Sequence, residues 1–217
     1  MPEDHQTDMT EMFAIHDALR HEFARLPLTV KAAADADADR AGVVGGHVLL
    51  MTSMLHAHHE GEDELVWPLL EERSPESEGL VEQMVSQHES MVALMATARE
   101  QAAAWIANPA VQERAALHTT LIQLEKVLLH HLAVEEQEVV PLISRDLTQE
   151  EFAAVGAHSR ASMSPEELAV GLGFILQDTS AERGEAILAG MPPEARAGFE
   201  QFGRPAFEAY AARLAAY

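Results

Sequence analysis

Two eleven-residue stretches of this chain, HHEGEDELVWP at 58–68 and HLAVEEQEVVP at 131–141, align without a gap. His131 matches His58, Glu135 matches Glu62, Glu136 matches Asp63 and Pro141 matches Pro68, all at an offset of 73 residues. Residues four apart on an α-helix differ by about 40° and lie one turn apart, so a His and a Glu at that spacing reach one point beside the helix. His58 and Glu62 are in register with Met51, Leu55, Leu65 and Leu69, and His131 and Glu135 with Leu124, Leu128 and Leu142. Both pairs therefore fall on the stripe that a helix turns to the core. An imidazole and a carboxylate buried together need partners, and a cation satisfies both. The repeat constrains the chain to a fold that brings two such helices together.

Apolar periodicity predicts those helices and two more. The first runs from about Thr10 to Leu26, with Met9, Met12, Phe13, His16, Leu19, Phe23 and Leu26 at helical spacing and Pro27 ending it. AAADADAD at 32–39 reads as a connector whose aspartates can cap the next helix, about Arg40 to Glu72. After the loop SPESEG at 74–79 a third helix runs from about Leu80 to Ile106, with Val81, Met84, Val85, His88, Val92 and Met95 on one stripe. Asn108-Pro109 breaks it, and a fourth runs from about Ala110 to Arg145, with Leu121, Leu124, Val127, Leu128, His131, Val139 and Leu142 inward. Four long helices with short links make an antiparallel bundle over residues 10–146 the economical architecture.

Beyond Thr148 glycines become frequent and the helical segments shorten: about Pro165 to Gln177, about Ser180 to Leu188, and about Glu194 to Ala216. Residues 148–217 read as a helical C-terminal extension without a chemical motif. It is expected to pack on the bundle, or on a second subunit to make a homo-oligomer.

Composition agrees and narrows the chemistry. Of 217 residues 47 % are hydrophobic but only 5 % aromatic, a balance that favours an all-α fold. A net charge of -22 with only 14 Lys and Arg argues against nucleic acid and anionic membrane as partners. With no cysteine, thiolate zinc and iron–sulfur sites are excluded, leaving His and carboxylate as the strong ligands. The acidic start MPEDHQTDMTEM has no apolar core of a signal peptide, and no apolar run reaches about 18 residues, so a cytoplasmic location is expected.

His16 and His88 each interrupt the apolar stripe of their helix. Alone, an inward His is more often hydrogen-bonded core than ligand. Beside two His-x3-Glu pairs they complete a set of four imidazoles and two carboxylates aimed into one bundle, a dinuclear site of His16, His58, Glu62, His88, His131 and Glu135. His56 lies about 160° from His58 and is expected to face solvent, while His59 and His130, about 100° from the nearest ligand, could orient a ligand or sit at the surface. His21 and Glu89 are uncommitted. Glu60, Asp63 and Glu64 read as a solvated face, and Trp67-Pro68 as the close of the helix against the core.

This pattern of His, His-x3-Glu, His and His-x3-Glu resembles the hemerythrin-like (HHE cation-binding) domains, four-helix bundles with a non-haem centre of two iron ions. Separations of 42, 30 and 43 residues between the successive histidines are similar to those of its diiron repair-of-iron-centres branch. The extension resembles the tails of actinobacterial members. Ferritin-like bundles, with Glu-x-x-His pairs and more glutamates, fit less well. Oxygen-carrying hemerythrins place two histidines four apart on the third helix, where this chain has Met84 and Val92 around His88, so one ligand fewer is expected. They also use a carboxylate five residues after the last His. That residue is Glu136 here; helix geometry prefers Glu135, and Glu136 stays open if the helix bulges.

The resemblance implies a small diatomic or peroxide ligand, in O2 binding or sensing, peroxide decomposition, nitric oxide reduction or iron handling. The missing ligand tilts the expectation toward a diiron oxidoreductase. The competing readings are a sensing or binding module without turnover and a metal-free helical interaction protein.

Overall fold

The structure is a computed structural model that describes residues 6–216. Residues 1–5 of the acidic start and Tyr217 at the end of the expected extension lie outside it. The described residues form eleven α-helices with no strand. Four long ones make the bundle: α1 (Thr10–Ala32), α2 (Ala38–Leu65), α4 (Glu78–Ala107) and α5 (Val111–Val134), with the short α3 (Trp67–Arg73) and α6 (Val140–Asp146) prolonging α2 and α5. α1 packs against α2 and α5, and α4 against the same two, which closes a four-sided bundle. His16 near the start of α1 meets His58 near the end of α2, and His88 in α4 meets His131 late in α5, so these neighbours run antiparallel.

Three helix boundaries differ from the sequence expectation. α1 does not end at Pro27 but continues to Ala32 with Pro27 inside it. Leu26, Pro27 and Val30 are all buried, and that burial outweighs the lost hydrogen bond. The expected single helix of 40–72 breaks at Val66, where Val66 N–H still reaches the Glu62 carbonyl at 2.9 Å but Pro68 has no N–H for the carbonyl of Glu64. The expected helix of 110–145 is interrupted at the matching place by a π-helical turn, Glu135–Val139, ahead of Pro141.

The extension is helical as expected but begins earlier. α7 (Gln149–Ala161) precedes the expected segments and opens with a capping box, in which Thr148 and Glu151 satisfy each other's backbone N–H groups. That T-x-x-E signal was in the sequence. α8 (Pro165–Gln177) falls where the sequence put it and α9 spans Ala181–Gly190. The last expected segment divides into α10 (Pro193–Gly198), a π turn (Phe199–Gly203) and α11 (Arg204–Ala215). α7 lies on α2 at Gly61, where an added Cβ would stand 2.9 Å from Ser159 Oγ and 3.2 Å from Val155 Cγ1. α8 and α11 cover the other end, adding Val170, Phe174 and Leu214 to the main core. Among the described residues no helix is long and apolar enough to cross a membrane.

Two apolar clusters share the interior. One runs from Leu19 through Val30 on α1, Val44 to Leu55 on α2, Met91 to Trp105 on α4 and Leu117 to Leu132 on α5. The other gathers Met12, Val66, Trp67, Leu70, Val81, Met84, Val139 and Ile143. On each bundle helix the inward His or His-Glu pair falls between residues of the two clusters. The polar residues thus form one layer across the bundle, walled by hydrocarbon above and below.

Candidate metal centre

All six residues chosen from the sequence are buried in that layer: His16, His58, Glu62, His88, His131 and Glu135. A seventh, His59, joins them. The donor atoms fall into two groups, each with its atoms within 4.8 Å of one another: His16, His58, Glu62 and Glu135, and His59, Glu62, His88 and His131. Glu62 belongs to both. Its Oε1 stands 3.2 Å from His58 Nε2 and its Oε2 3.6 Å from His88 Nε2. Glu135 spans the layer from the other side, its Oε2 lying 3.4 Å from both His16 Nε2 and His131 Nε2.

The far nitrogens of three imidazoles are held by acceptors. His16 Nδ1 donates to Glu136 at 3.1 Å, His88 Nδ1 to Asp63 at 2.7 Å and His131 Nδ1 to Gln87 Oε1 at 2.9 Å. A proton on Nδ1 leaves each Nε2 with its lone pair turned inward, as a metal ligand requires. Asp63 and Glu136, matched in the repeat, thus do matched work: each follows an inward glutamate and fixes a histidine of another helix. The choice between Glu135 and Glu136 follows from this geometry. Glu135 continues the regular helix of α5, its N–H on the His131 carbonyl, and so lies in the layer, while Glu136 in the π turn sits at its edge, bonded to His16 and at 2.8 Å to Arg20.

Without a cation the layer is electrostatically awkward. Burial, and after it the Glu135 carboxylate, holds the Glu62 carboxyl well above the usual range. Burial and the neighbouring imidazoles push His58 and His59 well below theirs, and His131 down to about 2. Both oxygens of Glu62 and Glu135 and both ring nitrogens of His59 are buried without a hydrogen bond, although imidazole nitrogens stand at ion-pair distance from both carboxylates. His16 Nε2 and His58 Nε2 approach to 3.1 Å, and His88 Nε2 and His131 Nε2 to 3.2 Å. Paired lone pairs and orphaned carboxylate oxygens are the donor set that cations fit, since positive charge at the centre of each group satisfies all of them.

Several expectations need correction. The structure brings five imidazoles into the layer where four were chosen from the sequence, His59 being buried among the donors rather than at the bundle surface. On the helix His58 and His59 flank Glu62, at about 40° on one side and about 60° on the other, so the adjacent His59 shares its face. The third-helix stripe is also redrawn: Met84, His88, Met91 and Met95 are buried, while Val85 and Val92 face solvent. Asp63 is solvated as expected, with its side chain 41 % exposed, but it also anchors His88. His56, His130, His21 and Glu89 are exposed. Sequence reasoning missed a second buried polar group outside the layer: His47 bonds Glu22 through Nε2 and the Tyr210 hydroxyl through Nδ1, both at 3.0 Å.

Among known proteins, the family model of the hemerythrin HHE cation-binding domain matches residues 7–143, which takes in the whole layer. No curated protein and no solved structure matches the chain.

Proposed function

The chain belongs to the hemerythrin HHE cation-binding domain family, and on that premise we propose that its buried layer holds two iron ions and binds or reacts with a small oxidant: O2, peroxide or nitric oxide. The observation that carries the reading is the pair of donor groups sharing Glu62. Iron held by imidazole and carboxylate supplies one-electron redox chemistry and coordination positions for a small ligand. His16, His58, His59, His88 and His131 would serve as the imidazole ligands, with Glu62, common to both donor groups, and Glu135 as the carboxylates. Asp63, Glu136 and Gln87 hold ring orientation from outside.

The two positions are unequal. One group offers three imidazoles and the Glu62 carboxylate, the other the imidazoles of His16 and His58 with the carboxylates of Glu62 and Glu135. His58 is also the outermost of the ion-paired rings, its side chain 9 % exposed against 0 to 2 % for His16, His88 and His131. The apolar clusters above and below keep bulk water from the layer.

The fifth imidazole removes the missing-ligand argument for turnover, and thereby favours a second reading: reversible binding or sensing. Metal analysis is the first test. Wild type should carry iron near two per chain; Ala at His58, Glu62, His131 or Glu135 should lower it well below two, Ala at Glu136, which holds the His16 ring from outside, should lower it less, and Ala at His56 should leave it unchanged. Stopped-flow spectra of the reduced protein then separate the readings. Repeated consumption of peroxide or nitric oxide marks an oxidoreductase, a stable complex released as O2 is lowered marks a binding module, and protein that takes up no metal sinks both.

A further inference from the structure

One half of the layer has something the other lacks. Asp63 Oδ1 accepts two hydrogen bonds, from His88 Nδ1 at 2.7 Å and from the indole Nε1–H of Trp67 at 2.7 Å. The Trp67 ring is tilted 39° to the His88 ring with centroids 5.9 Å apart. In the other half the matching carboxylate, Glu136, joins His16 to the guanidinium of Arg20, and the residue matching Trp67 at the repeat offset is Val140.

Fixing the tautomer of an imidazole needs only an acceptor: Glu136 does it for His16 and Gln87 for His131. Packing at this position needs only an apolar side chain, as Val140 shows. Neither need explains an indole hydrogen-bonded to the same carboxylate oxygen as the ring of a metal-ligating histidine. Indole is one of the few side chains that can lose one electron and regain it. Here its N–H lies one carboxylate atom from His88, and the ring, itself buried in the second apolar cluster, is linked through Asp63 to the surface, where that side chain is 41 % exposed.

We propose that Trp67 is a one-electron relay between the metal centre and the protein surface at α3, an inference that rests on the diiron reading above. In the relay step a one-electron oxidant at the surface takes an electron from the Trp67 ring, and the reduced centre refills it through Asp63 and His88. No covalent bond forms or breaks. The Nε1 proton stays in its hydrogen bond to Asp63, and the net change is one electron from the centre to the oxidant.

The chain has no cysteine, so Glu71→Cys, an exposed position one turn from Trp67 on α3, gives a single attachment point for a ruthenium tris-bipyridine photo-oxidant. In the iron-loaded, reduced protein, with a one-electron acceptor such as hexaammineruthenium(III) in solution to quench the excited label to Ru(III), a flash should produce a transient indole radical, then the spectrum of the oxidised centre as the radical decays. With redox-inert zinc in place of iron the radical should persist. Trp67→Phe should slow oxidation of the centre by about tenfold or more at unchanged iron content, and Trp105→Phe should not. Asp63→Ala leaves the indole in place, removes both hydrogen bonds, and should also slow the transfer. Metal content is measured on every sample: protein without metal overturns the diiron reading and the relay together. Metal-loaded protein whose transfer rate is the same with Phe at 67, or whose radical lives equally long with zinc and iron, overturns the relay alone.

Discussion

At the scale of single residues the two repeats differ most tellingly where His59 faces Leu132, the same position at the offset of 73. Both are buried, but only one is a donor. His59→Leu copies the second repeat into the first; the bundle should stay folded by circular dichroism while iron content falls below two per chain, and unchanged content would assign His59 to packing. The position was hard to read in the sequence because the repeat pattern directs attention to what the halves share. Its signal was the adjacency of two histidines three and four residues before Glu62, which places both beside that carboxylate. The buried imidazoles also predict a pH dependence. His58, His59 and His131 are held neutral by the fold, whereas an unfolded imidazole takes a proton near about pH 6.5. Protons then bind the unfolded chain in preference, and these rings lose the metal-free protein stability as the pH drops through that value. Glu62 acts in the opposite sense: its raised carboxyl adds stability at low pH, lost as the pH climbs through its folded value. With three imidazoles against one carboxyl, the Tm of metal-free protein should fall from about pH 7.5 to about pH 5.5; a flat or rising profile would overturn this account.

At the scale of elements the bundle was legible because four long stripes at helical spacing leave little freedom, and the capping residues Asp37 and Ser164 mark helix starts as expected. What sequence could not give was how helices end. Proline forbids one hydrogen bond but does not say whether the chain stops, as at Pro109, bends, as before Pro68, or continues, as through Pro27; packing decides. The π turn at Glu135–Val139 was similarly open, although it was the condition on which Glu136 remained a candidate. Such a turn is one residue wider than α-helix. Deleting the exposed Gln137 should return this segment to a regular helix, keep α6 in register with its neighbours, and turn Glu136 away from His16 and Arg20. The deletion variant should therefore stay helical and lose iron; full iron content would show that the turn is incidental to the layer.

At the scale of the whole molecule the buried layer and the extension make different claims on stability. Seven inward polar residues, several of their donor atoms without a hydrogen bond, cost the fold free energy that cations would recover, so metal should stabilise by mass action: free iron at about 100 times its dissociation constant adds about 2.7 kcal/mol per site. Calorimetry of metal-free and iron-loaded protein should show the loaded form melting higher, and equal melting temperatures would mean the layer is satisfied by its own hydrogen bonds. The extension is joined to the bundle by hydrocarbon but also by the Tyr210–His47–Glu22 chain and by Arg40, which donates to the Leu214 carbonyl at 2.8 Å. An apolar seam is indifferent to a slide of one helical turn, since one patch of methyl groups serves nearly as well as another. A chain of polar groups is not, because a slipped α11 would leave His47 facing carbon with its bond to Tyr210 broken. The tail accordingly has a single seating. It can be on or off, but it cannot drift, and whatever lifts it must do so in one step.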